Sequence, residues 1–233
     1  MSDAAGLAER LASVSERIRR AAEDAGRDPA DVRVLAVTKG HPVEAIEDAL
    51  SLGLREIGES RVQEAQAKRA QLAGRDISWH MIGHVQRNKA RPAAELFDTV
   101  HSVDDAALAA ALAAHRPAGA APLRVLIEVE MTGITGRNGV TPDGAAGLLE
   151  VLRGLPALDP VGLMTIAPPD DPAAARTCFA RLRDLRDRLR NGGGSLGELS
   201  MGMSDDYEIA VAEGATMLRL GRVLFGDRAV PGR

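Results

Sequence analysis

The sequence Val-Arg-Val-Leu-Ala-Val-Thr-Lys, residues 32–39, is an apolar and β-branched run that ends on a single lysine. Gly40 and Pro42 end the predicted strand, and Pro42 suits the first turn of a helix that runs to Leu50. Lys39 therefore lies where a strand gives way to a helix. In a repeating strand–helix fold, that end of the strand carries the active site. The stretch thus predicts a functional lysine.

The chemistry of a lysine at such a position follows from its surroundings. An amine held among apolar strands is costly to keep charged, and the neutral amine attacks aldehydes. Lys39 is therefore a candidate for Schiff-base formation. A solvated lysine that simply caps a strand is the alternative.

Length and composition place the chain among ordinary globular proteins. It has 233 residues, of which 45% are hydrophobic and 27% are charged. A single α/β barrel has roughly 200 to 400 residues, so we expect one domain over residues 1–233. The formal net charge of −4 gives no electrostatic reason for nucleic acid or an anionic membrane as a partner.

Several classes of protein are disfavoured by individual residues. Cys178 is the only cysteine, which excludes an intrachain disulfide and a zinc site with paired cysteines. His41, His84 and His101 match no metal-ligand spacing, so we expect no metal. Charges in the first 20 residues interrupt any signal-peptide core. The longest low-charge stretch, Ala106–Ala114, is too short to span a bilayer. We expect a cytoplasmic monomer.

About eight strand–helix units follow one another along the chain. The apolar strands do not alternate cleanly with polar residues, which indicates parallel strands covered by helices. This pattern predicts a single (β/α)8 barrel of the TIM type with an additional N-terminal helix, which supplies the helix missing after strand eight. An open doubly wound sheet is the alternative, disfavoured because no Gly-rich dinucleotide turn follows the first strand. The predicted strands are 32–39, 55–60, 77–83, 99–103, 124–131, 161–166, 199–203 and 217–221.

The predicted helices carry details that a structure can test, and their ranges are 4–25, 42–50, 61–72, 86–97, 106–115, 142–155, 172–190 and 206–213. Pro92 predicts an irregular centre for the fourth of them. Asp104 and Asp105 are predicted to cap the fifth. Glycine-rich loops are expected at 133–139 and 191–194.

The loops after strands seven and eight of such a barrel commonly hold a phosphate. Ser204 places a hydroxyl after strand seven, and Gly221 allows close backbone approach after strand eight. Taken alone, Ser204 is better explained as an N-cap of the following helix, and Gly221 is explained as a tight turn. Together with Lys39, however, they suggest an aldehyde that carries a phosphate, and pyridoxal 5'-phosphate (PLP) is the common one.

Seven segments in order along nearly the whole chain resemble the YggS/PROSC family of pyridoxal phosphate homeostasis proteins. The resemblance implies a barrel like the N-terminal domain of alanine racemase, with PLP as cofactor and a role in vitamin B6 balance. The Ser-Met-Gly-Met-Ser-Asp-Asp run within 199–206 is the most distinctive segment. The segments are 36–39, 57–64, 79–83, 86–89, 163–166, 199–206 and 219–226.

The resemblance also implies roles for individual residues. Lys39 looks like the lysine that forms the Schiff base with PLP, and Arg219 like the residue that faces the pyridine nitrogen. Ser204, Gly221 and the backbone of Arg222 would lie at the phosphate. The resemblance further places Ser60, His80 and Met81 in the cofactor pocket.

Two of these positions depart from the usual pattern of the family. Ser60 stands where an asparagine is usual, which replaces a side-chain amide near the ring by a shorter hydroxyl. Arg222 stands where serine or threonine is common. Its side chain either adds charge at the phosphate or points to solvent.

Three functions from different classes remain open. We favour a non-catalytic PLP carrier that supplies PLP-dependent apoenzymes, because a cation such as Arg219 disfavours protonation of the ring and makes it a poor electron sink. Tyr207 is the only tyrosine, and no second domain presents it as a base. A racemase-like PLP enzyme and a cofactor-free Schiff-base aldolase are the alternatives.

Glu128 and Glu130, two apart on strand five, are either paired carboxylates or structural residues.

Overall fold

The computed structural model describes residues 3–191 and 196–227. Within them, eight parallel strands form a closed barrel in chain order, and β8 pairs with β1 to complete it. This confirms the predicted barrel and excludes the open sheet. The strands are β1 Arg33–Val37, β2 Glu56–Glu59, β3 Ser78–Met81, β4 Thr99–Val103, β5 Leu123–Glu128, β6 Leu158–Met164, β7 Glu198–Ser200 and β8 Met217–Leu220.

Helices alternate with the strands and cover the barrel. The N-terminal helix packs against the second, eighth and ninth helices, so it covers the barrel beside β8 as predicted. The short ninth helix, which directly follows β8, was not predicted. In the described part of the chain, no helix combines the length and apolar composition needed to cross a membrane. The helices are α1 Ala4–Asp24, α2 Val43–Ser51, α3 Val62–Gln71, α4 Ala90–Leu96, α5 Ala106–His115, α6 Ala145–Arg153, α7 Pro172–Asn191, α8 Tyr207–Ala212 and α9 Arg222–Phe225.

Two predicted details of the helices are wrong. Pro92 does not disturb the middle of a helix, because a 3₁₀ turn at Arg87–Lys89 comes first and α4 begins only at Ala90. The proline thus lies in the first turn, where a missing N–H costs nothing. Asp105 alone caps α5, by accepting from Leu108 N–H. Of the predicted loop 191–194, residue 191 ends the seventh helix, and residues 192–194 lie outside the described part of the chain.

The two ends of the barrel differ in their chemistry. The amino ends of the strands are bridged by ion pairs: Arg33 bonds Glu56 and Glu198, and Glu198 also accepts from Arg124 at 3.1 Å. These side chains come from β1, β2, β5 and β7, so they cross-link strands around that end. Lys39, by contrast, follows β1 at the opposite end.

Gly202 follows β7 with φ +93°, in the left-handed region. A Cβ there would lie 2.5 Å from Ala210 Cβ and 2.9 Å from a Leu218 methyl carbon. We expect Gly202→Ala to lower the free energy of unfolding by about 3 kcal/mol in urea denaturation, from backbone strain plus overpacking. Gly53→Ala is the matched control, because Gly53 has φ +85° and open space around it. Equal losses in the two variants would contradict the steric argument.

Candidate functional site

A cavity of about 380 Å³ opens at the carboxyl ends of the strands. Apolar side chains, among them Ile82 and Ile166, form part of its wall. It brings together five of the eight predicted site residues. They are Lys39, Ser204, Arg219, Gly221 and Arg222.

The backbone on both sides of Lys39 is held by polar contacts. Gly40 turns the chain with φ +74°, and its N–H donates to Glu64 Oε1 at 2.6 Å. Thr38 donates its hydroxyl to Glu59 Oε1 at 2.6 Å. The direction in which Lys39 leaves β1 is therefore fixed by its neighbours.

Lys68 joins these contacts into one buried group. Its Nζ donates to the backbone oxygen of Thr38 at 2.7 Å, to Glu59 Oε1 at 2.7 Å and to Glu64 Oε1 at 2.8 Å. We call Lys68, Glu59 and Glu64 the Lys68 cluster. All three ammonium protons have acceptors, so this amine serves the structure.

The two carboxylates of the Lys68 cluster respond differently to their surroundings. Burial raises the pKa of Glu59, despite the opposing bonds from Lys68 and Thr38. Burial alone would raise the pKa of Glu64 too. The hydrogen bonds from Lys68 and from Gly40 N–H outweigh this effect, so the pKa of Glu64 is lowered. Of the two carboxylates, Glu64, which is bonded to Gly40, therefore carries the firmer negative charge.

Arg219 occupies the floor of the cavity and is only 5% exposed. Its Nη1 donates to the backbone oxygen of Ser200 at 2.7 Å and to Ser200 Oγ at 2.8 Å, and its Nη2 donates to Thr165 O at 2.9 Å. Burial lowers the pKa of Arg219 to about 10, although Asp206 and Glu128 oppose this. A guanidinium has five N–H donors, and described residues accept from three of them, so two are available to a ligand.

The loops after β7 and β8 meet at the side of the cavity. Ser204 Oγ accepts from Val223 N–H at 3.2 Å, which leaves the hydroxyl proton free to donate. Ser204 is not the N-cap of α8, since that position is Asp206. A Cβ at Gly221 would lie 3.2 Å from Val37 O, so glycine allows β8 to approach β1 closely.

The side chain of Arg222 is held in an ion pair at the edge of the cavity. It pairs with Asp205, and both side chains are largely exposed. Its charge is therefore already neutralised in part. Among the described residues, none accepts a hydrogen bond from the Arg222 backbone N–H. That group is available as a donor.

Three predicted residues do not line this cavity. Met81 packs into the apolar layer between barrel and helices, and His80 is buried inside the barrel against His101 at 2.9 Å. Adjacent strand residues face opposite sides, so one pocket could not receive both side chains. Ser60 lies against Gly83. These three residues therefore lie outside the cavity lining, and their contact with a cofactor stays a prediction.

A smaller cavity of about 230 Å³ adjoins the first and is lined by Glu128, Glu130 and Arg137. Glu128 is the last residue of β5 and Glu130 lies beyond the strand, so the two carboxylates have different surroundings. Burial raises the pKa of Glu128 to about 7, with a further contribution from Asp104. Burial alone would raise the pKa of Glu130 too, but hydrogen bonds from Thr132 and Gly133 outweigh this effect and lower the pKa.

The raised pKa of Glu128 predicts a pH-dependent stability. The folded carboxyl titrates near 7 and the unfolded one near 4.5, so its contribution is full below pH 4.5 and is lost as pH rises through 7. We expect Glu128→Gln to raise the free energy of unfolding by up to about 3 kcal/mol near pH 8 and to change it little near pH 4. Urea denaturation at both pH values measures this.

Glu130→Gln is the matched control for that prediction. Because the pKa of Glu130 is lowered, this variant should lose stability at neutral pH and approach the wild type in acid. A gain for Glu128→Gln that does not change with pH would contradict the assignment.

No group of histidine, cysteine and carboxylate side chains in the described residues is arranged to hold a metal ion.

The sequence did not predict the Lys68 cluster, nor the contact of Ser200 and His101 beneath Arg219. Glu64 and Lys68 are four apart on α3, a spacing that predicts contact on a helix. No local pattern, however, joins Ser200 to His101.

Comparisons with known proteins identify relatives along the full length of the chain. Residues 10–229 match the family model described as alanine racemase, N-terminal domain. A pyridoxal phosphate homeostasis protein of Pseudomonas aeruginosa is 48% identical over 223 residues, which cover 95% of this chain and 96% of that protein.

Solved structures agree with this relationship. A protein of Bifidobacterium adolescentis described as unknown has a TM-score of 0.90 at 34% identity, covering 97% of each chain. PipY of Synechococcus elongatus, solved with PLP bound, has a TM-score of 0.83 at 39% identity and covers 94% of this chain and 100% of its own. An alanine racemase of Clostridium difficile shares the fold at 17% identity.

Proposed function

Because this chain belongs to the family of pyridoxal phosphate homeostasis proteins, within the alanine racemase N-terminal domain family, we propose that it binds PLP and holds it as a Schiff base on Lys39. We further propose that it stores and releases PLP for apoenzymes and does not turn over amino acids. The name of the Pseudomonas relative and the PLP bound to PipY support the cofactor.

One observation carries the proposal: a single cavity is lined by a lysine, a buried arginine and a group of hydrogen-bond donors of the kind that bind phosphate. PLP presents an aldehyde, a ring nitrogen and a phosphate, and each has a complementary group here. The Lys39 amine suits the aldehyde. Arg219 offers N–H donors to the ring nitrogen, while the Ser204 hydroxyl and the Arg222 backbone N–H suit the phosphate. The donor set therefore fits PLP.

The residues around Lys39 would determine how the lysine is presented. PLP supplies an aldehyde that condenses reversibly with a lysine amine and, when its ring is protonated, an electron sink. The Lys68 cluster fixes the backbone of Thr38 and Gly40, which limits the positions that the Lys39 amine can reach. Its role is to orient the lysine.

Arg219 and Tyr207 support a carrier rather than an enzyme. Arg219 can donate a hydrogen bond to the ring nitrogen, but it does not transfer a proton to it. Tyr207, the only tyrosine, is 1% exposed, does not line the cavity and has Arg17 over its ring at 5.1 Å. It is therefore not placed to act as a base on a bound amino acid.

The test combines a spectrum with an assay of turnover. We expect purified protein that is incubated with PLP and then desalted to retain a near-visible absorption band, whereas PLP mixed with a free amine is removed by desalting. Incubation of this protein with alanine in deuterated buffer should leave the α-hydrogen unexchanged. A colourless protein would contradict PLP binding. Exchange that requires Lys39 would instead support the racemase-like enzyme.

A further inference from the structure

A chain of hydrogen bonds runs below the cavity and through the interior of the barrel. Arg219 Nη1 donates to Ser200 Oγ at 2.8 Å, and Ser200 Oγ lies 2.9 Å from His101 Nδ1. His101 Nε2 lies 2.9 Å from His80 Nδ1, and His80 Nε2 lies 3.1 Å from Ser78 Oγ. The three inner members of the chain are fully buried.

The arginine sets the direction of this chain because a guanidinium can only donate. Ser200 Oγ accepts from Arg219, so its one proton is free for His101 Nδ1. Neutral His101 then carries its proton on Nε2 and donates to His80 Nδ1. His80 in turn carries its proton on Nε2 and donates to Ser78.

The reverse direction would leave a buried donor unpaired. If His101 Nδ1–H donated to Ser200, that hydroxyl would accept twice, and no described residue accepts its proton. An unpaired buried donor costs about 1–3 kcal/mol. In the forward direction the last free proton belongs to Ser78, which is only partly buried.

We propose that His101 is a positioning residue for Arg219, which it holds through Ser200 with the hydroxyl proton turned away from the guanidinium. With that proton on the His101 side, a lone pair of Ser200 faces Nη1. The backbone oxygens of Ser200 and Thr165 fix the remaining contacts. The guanidinium is thus presented to the cavity in one orientation.

The charges around the two histidines keep the chain in this state. Burial, with Arg33 and Arg124, lowers the pKa of His80 to about 3. Burial, with His80 and Arg219, lowers the pKa of His101 well below its usual value. Arg33 and Arg124 act on His101 as well, and no carboxylate among the described residues bonds to either histidine. Both imidazoles therefore stay neutral at physiological pH.

The consequence for a ligand rests on the proposed function. A neutral chain that donates away from the cavity delivers no proton to it, and Arg219 offers only hydrogen-bond donors. A bound heteroaromatic ring would have to present an unprotonated nitrogen. The chain would thereby keep PLP in the form that is a poor electron sink.

The first test uses the protein without PLP. We expect long-range proton–nitrogen NMR spectra of the labelled apoprotein to show His80 and His101 as neutral Nε2–H tautomers that do not titrate near neutral pH. A protonated Nδ1 on His101, whether neutral or doubly protonated, would overturn the direction of the chain and with it the proposal.

The second test uses variants and the solvent exchange of the Arg219 guanidinium protons. His101→Leu removes the acceptor for Ser200, and we expect about tenfold faster exchange, the effect of losing one hydrogen bond. His101→Asn restores an acceptor oxygen and should stay within about threefold of the wild type. His115→Asn, at an exposed position on α5, controls for histidine loss. Unchanged exchange in His101→Leu would overturn the proposal.

These readouts separate the two proposals. If the tautomers and exchange rates are as expected but PLP does not bind, the positioning role of His101 stands and the proposed function fails. If PLP binds but His101→Leu leaves Arg219 exchange unchanged, the function stands and the positioning role fails. The tautomers are read from the unmodified chain, so a variant that does not fold leaves that test intact.

Discussion

Lys39→Ala is expected to abolish the absorption band of the protein-bound imine and to weaken PLP binding by on the order of 100-fold, about 2.7 kcal/mol. The covalent imine is lost, while Arg219, Ser204 and the Arg222 backbone N–H remain to hold the ring and phosphate without it. Equilibrium dialysis measures the affinity, and absorption measures the band. Circular dichroism should show an unchanged fold, because Lys39 lines the cavity.

The scarcity of lysine makes this prediction sharp. The chain has only three lysines, Lys39, Lys68 and Lys89, and Lys68 is buried with all its donors used. Lys89→Ala is the matched control, because Lys89 ends a 3₁₀ turn and does not line the cavity. A band that survives in Lys39→Ala but is lost in Lys89→Ala would contradict the assignment.

Lys68→Met is expected to have the largest effect on stability. It leaves Glu59 and Glu64 beside each other without their shared cation, and breaking a buried ion pair in this way costs about 3–5 kcal/mol. Urea denaturation near pH 8 measures the loss. The loss should shrink in acid, because carboxyls without a partner have raised pKa values and become neutral there.

A second substitution tests the cause of that loss. Glu59→Gln added to Lys68→Met removes the unpaired buried charge but keeps an oxygen for the Thr38 hydroxyl. We expect the double variant to recover at least about 1 kcal/mol. Lys89→Met should cost little. If the double variant were less stable than Lys68→Met, charge burial would not explain the loss.

The barrel could be predicted from sequence because each strand–helix unit carries its own local signals. Strand β4 and helix α5 have the predicted bounds, Thr99–Val103 and Ala106–His115, since a segment rich in β-branched residues and an aspartate cap are both local features. The effect of Pro92 is predicted wrongly because it depends on where α4 begins. The 3₁₀ turn before α4 has no strong signal in the sequence.

The candidate site was predictable only where residues follow strand ends. Lys39, Ser204 and Gly221 lie in the cavity because the carboxyl ends of parallel strands converge there. Met81 and His80 face opposite sides of β3, as the alternation of strand residues requires. The contact between His101 and Ser200, 99 residues apart, depends on barrel closure. No pattern within the chain could reveal it.

The residue to which PLP attaches can be identified directly. Purified protein incubated with PLP would be reduced with borohydride, digested and mapped by mass spectrometry. We predict that a pyridoxyl group is found on Lys39 in stoichiometric amount and that Lys68 and Lys89 remain unmodified. A modification mainly on Lys89, or no stable adduct from a protein that shows the absorption band, would contradict the account.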